Sequence, residues 1–237
     1  KYRSLVRKSF RLIICNAVYC SIAMGLVTHA VADNPGFVSK NPADLPPSLE
    51  RDVSSRSTDP DIPPAYGPEN PKVLLVNFVD FQCPACRRAS QATHQIAAEF
   101  PGDVRVEFWN LPMHSHKNAD LAAAAGIAAQ RQGKFWEMHD ILFANQVHDR
   151  ATLEQNAQQL GLDITQFESD MNDPDVKDRI RKEMNLAAVL GATGTPTYLI
   201  NGKVRTGWGS WLGFRQMVEQ ELAKSNILAE QGMDSYE

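Results

Sequence analysis

Val73-Leu74-Leu75-Val76-Asn77-Phe78-Val79-Asp80-Phe81-Gln82-Cys83-Pro84-Ala85-Cys86 carries an apolar run, rich in β-branched and aromatic residues, straight into two cysteines three positions apart. Pro71 precedes the run and Pro84 follows it, so residues 73–81 read as a buried strand. Beyond Cys86, Ala89, Ile96, Ala97 and Phe100 recur at helical spacing, and Pro101-Gly102 supplies a stop. Pro84 suits the first helical position, where its missing N–H and fixed φ cost nothing. That places Cys83 at the N-cap and Cys86 at N3. Unpaired N–H groups and the helix dipole favour an anion there, so Cys83 is expected to ionise within the range of about 3.5 to 7.5 found for activated cysteines. The exposed N-cap sulfur is expected to attack and the inner one to resolve. One helical turn of spacing also lets the pair close a small disulfide, so it can cycle between dithiol and disulfide. A purely structural disulfide would close almost no loop and stabilise little. A zinc site needs more ligands, and His114 and His116 follow at a spacing that fits no standard finger. A zinc- or peptide-binding module on Cys83, Cys86, His114 and His116, without turnover, is the alternative from another class.

Residues 1–32 hold Lys1, Arg3, Arg7, Lys8 and Arg11 and no acid, then an apolar stretch from Leu12 to Val27 and an Ala30-Val31-Ala32 cleavage pattern. They read as a signal peptide, cut after Ala32. The apolar stretch is interrupted by Asn16, Tyr19 and Ser21 and falls short of the roughly 20 residues that span a bilayer, so membrane tethering is the lesser reading. Cys15 and Cys20 lie inside this segment. Removing its 5 bases from the 24 leaves 19 against 28 acids, a net charge of −9, which disfavours nucleic acid as a partner. Only Cys83 and Cys86 then remain. In an oxidising compartment a disulfide framework shows four or more cysteines, whereas one close pair points to redox chemistry. That chemistry calls for no cofactor and no metal.

Residues 33–70 are rich in Pro, Ser, Asp and Asn without apolar periodicity and read as a linker or loosely wrapped arm. Residues 71–225 form one domain. Val104-Arg105-Val106-Glu107-Phe108-Trp109 alternates as a half-buried strand, completing a βαβ unit whose reactive groups gather at the carboxyl ends of the strands, where Cys83 lies. Ala119–Ala129, Phe135–Phe143, Leu153–Leu160 and Val176–Leu190 read as helices of a block inserted at about 116–190. Thr197-Tyr198-Leu199-Ile200 is a strand, Asn201-Gly202 a two-residue hairpin turn and Lys203-Val204-Arg205-Thr206 its antiparallel partner. A closing helix from Ser210 carries Trp211, Phe214, Met217, Val218 and Leu222 on one face, before a polar tail over 226–237. Pro196, at a strand start, is expected to follow a cis bond from Thr195.

Phe78 through Cys86, Gly133-Lys134-Phe135-Trp136 and Gly194-Thr195-Pro196-Thr197 together resemble the DsbA-like branch of the thioredoxin superfamily over residues 70–225. The resemblance implies an α/β fold, a central mixed sheet flanked by helices with an inserted helical subdomain. It also implies that Pro196 packs beside the cysteines and that the Thr195 backbone pairs with an extended substrate peptide. Pro84 and Ala85 tune the pair. Many members carry a buried acid where this chain has Asn77, so the base for Cys86 is water, another group brought close by folding or, ranked first, Asp80 as a proton relay. Ala85 in place of a histidine predicts a milder oxidant. The resulting expectation is an exported, periplasmic thiol:disulfide oxidoreductase that oxidises folding proteins, with a reductase or isomerase on the same scaffold as the alternative. Its partners are reduced or misoxidised exported proteins and a membrane protein that reoxidises the pair. No amino-terminal dimerisation domain is apparent, which favours a monomer.

Overall fold

The computed structural model describes residues 58–59 and 62–233. The signal-peptide reading of 1–32, with Cys15 and Cys20, and most of the 33–70 arm lie outside the described residues.

The strands are β1 (Ala65–Tyr66), β2 (Val73–Val79), β3 (Val104–Asn110), β4 (Thr197–Ile200) and β5 (Lys203–Thr206). They form one sheet in the order β1-β3-β2-β4-β5. β2 runs parallel to β3 and antiparallel to β4, and β1 and β5 lie antiparallel on the outside. Because side chains alternate across a strand, β2 feeds both layers. Val73, Leu75 and Val79 enter the larger core, while Phe78 and Val76 enter a smaller one with Leu111, Ala187, Ala192 and Leu199.

Helix α1 (Pro84–Glu99) begins with Pro84, and its N-cap is Cys83 in an extended conformation. Five helices separate β3 from β4: α2 (Ala119–Arg131), α3 (Phe135–Ala144), α4 (Arg150–Gln159), α5 (Ile164–Asn172) and α6 (Pro174–Val189). α2 is buried nearly all round, which explains its alanines. At Gly126 an added Cβ would stand 3.4 Å from the rings of both Phe81 and Phe135, so bulk is excluded where α2 crosses the core. Asp149, Asp163 and Asp173 cap α4, α5 and α6 by accepting from Thr152, Gln166 and Asp175 backbone N–H groups at 2.9 Å. The Asn201-Gly202 turn takes positive φ at both residues, as a tight hairpin requires. Asn201 also ties β4 to β2, accepting from Leu74 N–H at 2.8 Å and donating to Lys72 carbonyl at 3.0 Å.

Three elements differ from the sequence expectations. The last part of the arm is not loose: Ala65 and Tyr66 pair with Glu107 and Val106 as β1. Residues 164–172, given no element from sequence, form α5 with Phe167 and Met171 inward. The closing helix α7 (Trp211–Glu230) continues through residues 226–230, where the polar tail was placed.

A buried polar network crosses the insertion. Arg179 Nε donates to Glu183 Oε1 at 2.7 Å and its Nη1 donates to Gln130 Oε1 at 2.8 Å. Glu183 Oε2 accepts from Asn110 N–H at 2.7 Å and Asn110 Nδ2 at 2.8 Å, while Gln130 Nε2 donates to Ile62 carbonyl at 2.7 Å. The carboxyl end of β3, α2, α6 and the strap before β1 are thereby joined.

Candidate active site

Strand β2 ends at Val79, and the next three residues turn the chain into α1. Cys83 N–H donates to Asp80 carbonyl at 3.1 Å, which tightens that turn. Cys83 at the N-cap and Cys86 one turn on then lie on the same side of the helix start, both as free thiols. The loop before β4 supplies the opposite wall. The Thr195–Pro196 bond is cis, and the Cys83 thiol donates to Thr195 carbonyl at 3.3 Å. Pro196 is buried, Thr195 and Ala85 are half-buried, and Pro84 is exposed. The structure therefore brings Cys83, Pro84, Ala85, Cys86, Thr195 and Pro196 to one place at the carboxyl end of β2.

Electrostatics divide the two sulfurs. The Cys83 thiol is pulled down to about 5, chiefly by a hydrogen bond from the Cys86 side chain, against the opposing effect of burial, and further by the Thr195 side chain and the Cys86 and Ala85 backbone N–H groups. The amide contribution is the N-terminal effect read from sequence; the larger one comes from the partner cysteine. Burial pushes Cys86 strongly up, and its hydrogen bond to Cys83 pushes the same way, so it remains a thiol. One correction concerns access: the sequence reading makes the N-cap sulfur exposed, but Cys83 is only 7 % exposed because the Thr195 loop covers it. Iodoacetamide alkylation of reduced protein is expected to accelerate through a midpoint near pH 5 and be flat by pH 7; a midpoint above about 8, typical of a free cysteine, would contradict this.

Asp80 is fully buried, and its carboxylate is already engaged. Oδ1 accepts from Gln82 N–H at 2.7 Å, while Oδ2 accepts from Met113 N–H at 2.8 Å and lies 2.7 Å from His116 Nδ1. What Asp80 presents to Cys86 is its backbone, in a hydrogen bond that favours the thiolate. Asn77 is buried, with its side-chain oxygen lacking a hydrogen-bond partner among the described residues. Its register partner on β4 is Tyr198, a residue the sequence reading treats only as strand. The Tyr198 hydroxyl is likewise buried without a partner, and its ionisation is suppressed by burial first and then by the charges of Cys86 and Cys83. Tyr198 therefore lies close enough to the redox pair to sense its charge, a neighbourhood that strand pairing creates and local pattern cannot show. His114 is exposed. Among the described residues, Cys83, Cys86, His114 and His116 do not converge as a ligand set; the one group that does is elsewhere. This corrects the zinc alternative.

Residues 60–220 match the family model described as Thioredoxin. The Na(+)/H(+) antiporter NhaA of Herminiimonas arsenicoxydans is 33% identical over 192 residues, which cover 81% of this chain and 29% of that protein. The chain thus spans less than a third of that curated relative. A thioredoxin-like oxidoreductase from Silicibacter pomeroyi superposes with a TM-score of 0.62 at 29% identity, covering 71% of this chain and 96% of that one. The thiol-disulfide exchange protein alpha-DsbA2 from Wolbachia pipientis gives a TM-score of 0.61 at 20% identity, covering 70% and 90%, and speaks for the fold. A mixed sheet with a helical insertion agrees with the family model and with both solved structures: the chain belongs to the thioredoxin family, in a DsbA-like fold.

Proposed function

We propose that the chain exchanges disulfides with exported proteins and acts as a dithiol oxidase, passing its Cys83–Cys86 disulfide to them. The observation that carries this reading is the division of the two sulfurs, Cys83 held as a thiolate at neutral pH and Cys86 as a thiol. In the proposed cycle a substrate thiolate attacks Cys83 Sγ, breaking the Cys83–Cys86 bond and forming a mixed disulfide. The electron pair of the broken bond goes to Cys86, which takes up a proton as burial dictates. The substrate's second thiolate then attacks the substrate sulfur, and Cys83 leaves as a stable thiolate. Two electrons have passed from substrate to the pair. A membrane protein restores the disulfide, a role taken from family resemblance, and the extended substrate lies along the Thr195 backbone.

Direction follows from which form is stabilised. Folding lowers the Cys83 pKa to about 5 from 9.0, so the reduced protein gains stability that is fully present above about pH 9 and is lost as the pH falls to about 5. The disulfide form gains none of this, which makes the couple oxidising. Asp80 enters the cycle as a positioning residue: its backbone stabilises Cys86 as a leaving group, and its carboxylate holds the loop of Met113 and His116. Export is supported by the basic, apolar residues 1–32; among the described residues no helix is long and apolar enough to cross a membrane. The deciding experiment is equilibration of the pair with glutathione. A Cys83 pKa between the about 3.5 of the strongest oxidants and the about 7 of thioredoxin predicts a potential between about −120 and −270 mV. A value below about −270 mV would reverse the direction to reductase.

A further inference from the structure

Away from the cysteines, two helices bring three metal-binding side chains together. His94 on α1 and His139 and Asp140 on α3 each direct one donor atom into a space where all three lie within 4.8 Å of one another. Asp140 Oδ1 is the common target, 2.8 Å from His139 Nδ1 and 3.6 Å from His94 Nε2. The second distance is too long for a hydrogen bond, and His94 Nε2 is buried with no other partner among the described residues. At 3.6 Å the pairing with Asp140 is a long, weak one, which leaves a buried imidazole nitrogen short of a full hydrogen bond at some energetic cost within the metal-free cluster.

The spacing suggests what would offset that cost. A tetrahedral zinc ion with ligands at about 2.0 to 2.1 Å holds its donor atoms about 3.3 Å apart. The observed 2.8 and 3.6 Å fall on either side of that value, and the third pair, His94 with His139, lies within 4.8 Å, so the three donors can draw in around one ion. Packing aims the ligands in advance. The Tyr66 ring stacks on His94 at 5.1 Å, and the Trp136 ring meets His94 at 5.4 Å and His139 at 5.2 Å, both edge-on. Asp140 is a quarter exposed, which leaves a way in for the ion and a place for water as fourth ligand.

We propose that His94, His139 and Asp140 form a binding site for a divalent first-row transition ion, with zinc the best match to two imidazoles, one carboxylate and one water. The ion takes the place of the proton shared between His139 Nδ1 and Asp140, and that ring carries its proton on Nε2 instead. His94 is eleven residues after Cys83, about 16 Å along the helix, so the ion takes no part in thiol exchange. It ties α1 to α3, and as a ligand of the native state it raises the unfolding temperature.

The test uses the untagged full chain carrying Cys15→Ser, Cys20→Ser, Cys83→Ser and Cys86→Ser, so that no thiolate competes for metal. Equilibrium dialysis is expected to find one zinc per chain, cobalt(II) to give the visible bands of a tetrahedral site without thiolate charge transfer, and Tm to rise with zinc and not with magnesium. His94→Ala and Asp140→Asn, each checked for a cooperative melt without metal, are expected to weaken zinc binding by more than about tenfold, the low end for loss of even an outer-shell partner. Absence of stoichiometric zinc from the chain with an intact site overturns the proposal, and so does zinc binding that both variants leave unchanged.

Discussion

Replacing Cys83 by serine is expected to lower disulfide exchange by at least about 10⁴-fold, the scale on which loss of an attacking group falls. The alkoxide equivalent of a serine cannot carry a disulfide, and the other described cysteine, Cys86, is buried and held as a thiol. Cys86→Ser has a different signature. The reduced variant, mixed with a disulfide-bearing peptide, should stall as a mixed disulfide through Cys83, because the inner thiol that would resolve it is gone. Intact mass spectrometry reads the adduct directly; a Cys83→Ser protein that still turns over, or a Cys86→Ser protein that never forms an adduct, would disprove the assigned roles. The same pair of positions tests the origin of the thiolate. Since the Cys86 side chain is the largest stabilising influence on Cys83, Cys86→Ala should move the alkylation midpoint upward from about 5, whereas Cys86→Ser, which keeps a donor, should move it less.

The second large effect is structural. Glu183 is 5 % exposed and accepts from Arg179 and from both the backbone and side chain of Asn110. Glu183→Ala leaves the Arg179 cation buried and two Asn110 donors without an acceptor. The expected cost is about 3 to 5 kcal/mol, the range for breaking a buried pair from one side. Urea unfolding should show it as a lowered midpoint at unchanged slope. Glu183→Gln, which keeps an oxygen for Asn110, should cost less; a loss below about 1 kcal/mol for Glu183→Ala would mean that the pair is effectively solvated. Because Asn110 is followed by Leu111, whose N–H donates to Val79 carbonyl at 2.8 Å, part of the loss should appear as faster local opening beside the cysteines.

What sequence could and could not anticipate follows the range of the interactions involved. Strand β2, the Pro84 helix start and the Asn201-Gly202 turn are specified by residues within a few positions of one another, and each was readable. The two-residue β1 has no pattern of its own; it exists because Phe108 N–H donates to Pro64 carbonyl at 2.8 Å and Ala65 meets Glu107 across the chain. Helix α5 shows Ile164, Phe167 and Met171 as apolar anchors in a polar stretch, a faint periodicity in nine residues. At the site, the cysteines, Thr195 and Pro196 were accessible through motif. The covering of Cys83, the engagement of the Asp80 carboxylate by His116 and the approach of Tyr198 depend on which loops and strands meet, which no local window contains.

The strap that ends in β1 has a further effect. Without it β3 would be the outer strand of the sheet, a straight apolar ribbon of Val104, Val106 and Phe108 with unpaired amides along one side. Such an edge recruits strands from other molecules. Two residues of β1 occupy it, and Gly67 then passes so close to Val104 and Arg105 that a side chain there would meet Arg105 Cα at 2.8 Å. The strap thus works as a selvedge, a finished border that keeps the sheet from knitting into aggregates with its neighbours.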